Sequence, residues 1–237
     1  MFKKIITGLV ISLLNTAFAS ELSIDIGQTE TVFNRISIPS SQSNELSLGS
    51  DDRLTSVRLT SFYAPTSANQ IYPLYAPSPP KYRFQSQKSF RFNDTDFSNN
   101  TETKFKYKFN SYRLGYLWTW KATDLKYWAG LVAKVRDAKT EAIQGNLSDS
   151  FSNIGVVPLL SFGLNYRVYK NLYFFSHTDA LGSSRGSAYD SQVELKYQIN
   201  DYSASFGKRI LGGGADNDEV YNFAQFDTYY LKLTKYF

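Results

Sequence analysis

From Leu22 onward, apolar and polar side chains alternate along the chain in segments of about ten residues separated by turn signals. In 112–120, Tyr112, Leu114, Tyr116, Trp118 and Trp120 share one face, opposite Ser111, Arg113, Gly115 and Thr119. In 125–136, Leu125, Tyr127, Ala129, Leu131, Ala133 and Val135 form one row, with Lys126, Trp128, Gly130, Val132, Lys134 and Arg136 on the other side. In 189–199, Tyr189, Ser191, Val193, Leu195, Tyr197 and Ile199 oppose Asp190, Gln192, Glu194 and Lys196. A period of two sends successive side chains to opposite faces of a strand, so each segment predicts a strand with one apolar and one polar row. Such rows fit two folds. A water-soluble sandwich turns the apolar rows inward, whereas a barrel in lipid turns them outward.

Turn lengths and aromatic placement favour the barrel. Short linkers at Lys121–Asp124, Tyr169–Asn171 and Asn200–Asp201 alternate with long polar ones at 93–103, 138–151, 182–187 and 211–219. Short turns at one end and long loops at the other are the asymmetry of outer-membrane barrels. Aromatics crowd the short turns: Trp118, Trp120, Tyr127 and Trp128, then Tyr166, Tyr169 and Tyr173, then Tyr197 and Tyr202. Amphipathic rings prefer the headgroup boundary, so these predict an interfacial girdle. The expected fold is therefore all-β: an up-and-down antiparallel transmembrane β-barrel of about ten strands, with eight and twelve as the neighbouring even counts. Two stretches resist this scheme. Residues 64–81 hold Pro65, Pro73, Pro77, Pro79 and Pro80 and read as an extended loop where a short turn is due. Pro158 falls within a strand-like segment, where a missing N–H implies a bulge or an edge.

The N-terminus has a different pattern. Lys3 and Lys4 precede an apolar run from Ile5 to Leu14, and Ala17-Phe18-Ala19 supplies a small-x-small cleavage pattern. Residues 1–19 thus read as a signal peptide, leaving 20–237 as one barrel domain. No later segment approaches the ~20 consecutive apolar residues of a membrane helix. Tyr and Phe number 18 each and Cys 0, which suits strands and excludes disulfides, thiol nucleophiles and thiolate metal sites. The formal charge is +5, and without Lys3 and Lys4 there remain 24 basic against 21 acidic residues, a net of +3. No clustered basic stripe points to nucleic acid.

The chain ends Asp227-Thr-Tyr-Tyr-Leu-Lys-Leu-Thr-Lys-Tyr-Phe237. This resembles the last strand of bacterial outer-membrane barrels, in which a terminal aromatic and alternating upstream apolar residues are the assembly signal read by the insertion machinery. Tyr229, Leu231, Leu233 and Phe237 match that pattern. Lys235 departs from it, and a lysine there can snorkel to headgroups. Tyr112-Arg113, Val135-Arg136-Asp137-Ala138, Val157-Pro158-Leu159-Leu160, and Gly213–Asp216 through Val220–Ala224 look like parts of small Gram-negative outer-membrane barrels of unassigned function. The resemblance covers most of the mature chain. It implies the fold and a place in the cell outer membrane, with outer-membrane lipids, lipopolysaccharide and the insertion machinery as partners.

By alternation, Arg58, Arg113, Lys134, Arg136, Asp179, Asp190, Glu194, Lys196 and Arg209 face the lumen. Narrow barrels fill their interiors with side chains, and ions withdrawn from water there must pair. The expectation is a charge network that plugs the lumen and a structural or interaction role, with a narrow pore for small solutes as the alternative. His177, the single histidine, shares a face with Asp179, and a carboxylate can orient an imidazole as general base. A hydrolase acting on lipid A or peptide through His177 and Asp179 is the lesser alternative, because the adjoining Ser176 points to the opposite face. Asp216-Asn217-Asp218-Glu219 offers oxygen ligands without the spacing of a calcium loop. No metal or cofactor is implied, and the sequence carries no sign of oligomeric state.

Overall fold

The alternating segments pair in sequence order, each antiparallel to the next, and the last pairs with the first. The computed structural model describes residues 20–40, 45–48, 53–77, 81–217 and 220–237, so the expected signal peptide 1–19, Pro79 and Pro80 of the proline-rich stretch, and Asp218 and Glu219 of the acidic run lie outside the described residues. The strands are β1 (Glu21–Ser37), β2 (Leu46–Ser47), β3 (Leu54–Thr66), β4 (Asn69–Ala76), β5 (Lys81–Gln85), β6 (Phe90–Phe92), β7 (Thr95–Phe97), β8 (Glu102–Lys121), β9 (Leu125–Gln144), β10 (Leu147–Tyr169), β11 (Leu172–Ser183), β12 (Gly186–Ile199), β13 (Tyr202–Asp216) and β14 (Tyr221–Tyr236). Strands β4 and β5 both pair with β8 and act as one interrupted stave. The result is a closed, up-and-down antiparallel barrel of ten staves. Closure by β1 on β14 runs from Glu21↔Tyr236 to Ser37↔Tyr221. It leaves no sheet edge along that seam for water or lipid to satisfy.

The two faces of the wall are inverted relative to a soluble protein. Leu131 (56 % exposed), Leu195 (53 %) and Leu231 (67 %) point outward, whereas Arg113 (5 %), Asp179 (1 %) and Asp190 (6 %) are buried inside. Trp118, Trp120, Tyr127, Tyr166, Tyr169, Tyr197 and Tyr202 are exposed around the end where Glu21 meets Tyr236, the near end. Trp128 and Tyr173 leave this ring. Trp128 is buried in the lumen, and Tyr173 lies beneath the Lys196 ammonium at 5.2 Å. Parity decides this: both sit one residue out of step with the outward row.

Several connections differ from those expected. Residues 138–151 form a hairpin in unbroken register from Lys104↔Ile143 on β8 through Leu147↔Gln144, turning at Gly145 (φ +58°). Residues 182–187 and 211–216 are likewise mostly strand. Their polarity was read as loop because the strands run on past the apolar belt, where both faces can be polar. Residues 64–76 are mostly strand too, with the turn at Ser67 and Ala68 and Pro73 inside β4 opposite Leu114. Pro158 pairs with Ala133 of β9 but lies just past the β10–β11 ladder, which begins at Leu160↔Ala180. The edge reading of that proline is the one realised, because no ladder partner awaits its missing N–H on the β11 side.

Inward glycines make room for large rings on adjacent staves. A Cβ on Gly163 would lie 2.2 Å from the Trp128 ring, and one on Gly115 would lie 2.5 Å from the Tyr72 ring. These rings, with Phe62, Leu74, Leu117, Val132 and Leu159, form an apolar cluster along one side of the lumen.

Candidate functional site

A belt of charge crosses the middle of the barrel. The Arg113 guanidinium, projecting from β8, forks between two carboxylates: Nη1 donates to Asp179 Oδ2 at 2.8 Å and Nη2 to Asp190 Oδ2 at 2.7 Å. Arg58 of β3 donates to Asp190 Oδ2 at 3.3 Å, and its Nε lies 3.8 Å from Asp25 Oδ2. Arg209 of β13 approaches Asp25 Oδ1 at 3.8 Å. Three guanidiniums thus alternate with three carboxylates from β1, β3, β8, β11, β12 and β13, all nearly sealed from solvent. Low local dielectric strengthens such pairs but makes any unpaired member expensive. Alternation of sign along the belt is what lets six buried ions coexist.

Asp179 is also the acceptor for the Tyr72 hydroxyl at 2.6 Å and for His177 Nε2 at 2.9 Å. His177 Nε2 lies 2.9 Å from Ser161 Oγ as well. The serine nearest the histidine is therefore Ser161 of β10, opposite Asp179 in the β10–β11 register, and not Ser176. Both contacts fall on the same ring nitrogen. In a working Ser-His-Asp relay the carboxylate holds one nitrogen while the other takes the serine proton. A proton on Nε2 that serves Asp179 leaves that nitrogen unable to accept one from Ser161. His177 is also buried among Phe62, Tyr72, Trp128 and Phe175, whose ring centroids lie within 5.1–6.4 Å.

Nearer the termini, Glu194 pairs with Lys232 and accepts the Tyr230 hydroxyl at 2.9 Å. Lys196 reaches the Tyr236 hydroxyl at 3.3 Å and lies over the Tyr173, Phe175 and Tyr236 rings. Of the other lumen charges, Lys134 lies inside against the Phe109 ring at 5.1 Å. Arg136 is half-buried and donates to Asn153 Oδ1 at 3.0 Å. Asp25, Lys232, Tyr72 and Tyr230 add to the buried polar interior. Asp25 and Lys232 were legible by the same parity, since each lies between outward apolar neighbours: Ile24 and Ile26, Leu231 and Leu233. Among the described residues no group of three His, Asp or Glu side chains is arranged to hold a metal.

The far end is covered from inside. The hairpin β6–β7 and the segment around Ile38, Leu46 and Leu48 pack Phe90, Phe92 and Phe97 against Phe105 in a continuous apolar cluster. This lid is tied to the wall by hydrogen bonds. Asp149 accepts from Asn93 Nδ2 at 3.1 Å and the Asp94 amide at 3.0 Å. Gln144 accepts from the Ser98 amide at 3.0 Å and donates to its carbonyl at 2.9 Å. Slight desolvation raises the Asp149 pKa, but hydrogen bonds from Asn93, Thr95 and two backbone amides outweigh it and hold that carboxyl below its usual range.

On the outer surface, Tyr229, Leu231, Leu233 and Phe237 of the last stave are all exposed. Lys235 pairs with Asp201 at 3.4 Å and lies 4.3 Å over the Tyr202 ring, at the near-end girdle.

No known protein family and no curated protein matches the chain. Solved structures similar to it include Ail, the attachment invasion locus protein of Yersinia pestis, at 14 % identity over 92 % of this chain and 98 % of that one, with a TM-score of 0.37. Others are the toluene transporter TodX of P. putida (8 % identity, 94 % and 91 % covered, TM-score 0.38) and the translocator domain of the autotransporter NalP from Neisseria meningitidis (9 % identity, 100 % and 95 % covered, TM-score 0.43).

Proposed function

We propose that this chain is an integral outer-membrane barrel whose lumen is closed by its own side chains, with a structural or interaction role at the cell surface. The inversion of its faces carries the reading: a continuous apolar exterior around an ionised interior is stable only with hydrocarbon outside. The near end then faces the periplasm, which suits its short turns, and the lidded end faces outward. Lipids and lipopolysaccharide cover the wall. The insertion machinery reads Tyr229, Leu231, Leu233 and Phe237, and residues 1–19 direct export. Closure is supported at two levels, the Arg113 belt and the aromatic lid. Reconstituted in planar bilayers, the protein is expected to hold the baseline conductance of the bare membrane; steady single-channel steps would overturn the closed lumen.

The contact of Ser161, His177 and Asp179 is the one observation favouring a hydrolase, and its arrangement on a single ring nitrogen argues against it. In micelles the wild-type protein is expected to turn over neither lipid A nor peptide. Turnover abolished by His177→Ala with folding intact would restore the enzyme reading.

A further inference from the structure

Between the charge belt and the aromatic lid lies a cavity of about 380 Å³, within the range of small-ligand pockets. Lys134 and Arg136 line it. Lys134 is 3 % exposed and has, among the described residues, neither a carboxylate nor a hydrogen-bond partner, only the Phe109 ring. Arg136 spends one nitrogen on Asn153, while its Nε is buried with no partner. The belt cannot supply the missing anion: Asp25, Asp179 and Asp190 are each already shared between cations or donors. Holding a buried ammonium charged without a close counter-ion is costly, so an anion entering the chamber from outside the chain would find in Lys134 an unpaired partner. The rest of the lining is mixed: Val157, Leu211 and Phe226 form an apolar strip, beside glycines and the polar Arg185 and Asn222.

The cavity also has a side mouth. Residues 147–159 of β10 pair with β9 only, because the β11 ladder stops at Leu160↔Ala180. The gap this leaves in the wall is rimmed by Val156, exposed on the outward row, and Leu181, exposed on the inward row, and both line the cavity. An apolar chain can therefore pass from the belt of the membrane into the chamber without crossing the lid.

We propose that this chamber binds a single-chain anionic amphiphile, its head group on Lys134 and Arg136 and its chain along Val157, Leu211 and Phe226, admitted beside the free edge of β10. The test uses the full mature protein in phosphatidylcholine nanodiscs with radiolabelled dodecanoate as probe. Saturable binding near one per barrel is expected. Lys134→Met with Arg136→Met should weaken it by about tenfold or more, whereas Lys134→Arg should retain it. Methionine keeps an unbranched chain and removes an unpaired buried charge. Urea stability of Lys134→Met should thus equal or exceed wild type, which separates lost binding from lost folding. Dodecanol should bind at least about tenfold more weakly than dodecanoate. The proposal falls if dodecanoate does not saturate, if the double variant binds as wild type does, or if dodecanol binds equally well. Displacement of dodecanoate by an equal concentration of inorganic phosphate would also overturn it, because the chain would then contribute nothing.

Discussion

Arg113 shows what a single interior residue carries. Its fork holds Asp179 and Asp190 from two different staves, so Arg113→Met leaves both with less than their charge requires. Removing one partner of a buried ionic cluster costs about 3–5 kcal/mol. Urea unfolding in phospholipid vesicles should show a loss of that size, whereas Lys106→Met, at the exposed pair with Glu141, should cost about 0–1 kcal/mol. An equal small loss at both positions would mean water reaches the belt. Parity alone placed Arg58, Arg113, Asp179, Asp190 and Arg209 inside, because period-two alternation needs no knowledge of neighbours. What it could not supply is who meets whom. Asp25 joins Arg58 to Arg209 through the closure of β1 between β3 and β14, a contact set by the barrel and not by chain distance. Ser161 was missed for Ser176 for the same reason: adjacency in a strand separates side chains, while antiparallel register across the turn at 170–171 brings Ser161 opposite Asp179.

At the scale of the element, the staves are shaped by what their inward rows must accommodate. Gly163 is an inward position given up to the Trp128 ring of the neighbouring stave. Gly163→Val would drive a branched side chain into that ring and into the Ser176 carbonyl behind it, an overpacking that costs about 1–3 kcal/mol. Gly145→Ala, at the far-end turn with open space around its Cβ site but a left-handed φ, should cost less, through backbone conformation alone. Equal denaturation midpoints for the two variants would show that the lumen around Trp128 is loose. Strand existence was legible throughout, but strand ends were not. Beyond the apolar belt a hairpin such as 138–151 has water on its outer side and loses the row that marks it as a strand. The lid was hidden for a related reason. Phe90, Phe92 and Phe97 alternate over too short a run to announce a hairpin, and their burial depends on Phe105, which arrives from a wall stave.

The whole molecule turns on one choice that the alternation left open, namely which row faces hydrocarbon. The structure turns the bulky row of Leu131, Phe162, Leu195 and Leu231 outward and the ions inward, because a ring of ten staves is too narrow to enclose both, and an apolar exterior of that kind suits hydrocarbon. Depth then sets what each outward position tolerates. Leu131 lies midway along its stave between the girdle residue Tyr127 and the last apolar position, Val135; Val168 lies at the near-end rim beside the exposed Tyr169. An arginine at the bilayer midplane of a barrel costs about 2–4 kcal/mol, falling to about 0–1 kcal/mol at the interface, where the guanidinium snorkels into headgroups. Leu131→Arg should therefore be destabilised by several-fold more free energy than Val168→Arg when both unfold from phosphatidylcholine bilayers. The difference should shrink in short-chain micelles, whose surface deforms around a charge. A gradient is the signature of a slab of hydrocarbon. If the two variants lose equal stability in bilayers, or if the wild-type chain stays monomeric in water without detergent, the outward row does not meet lipid.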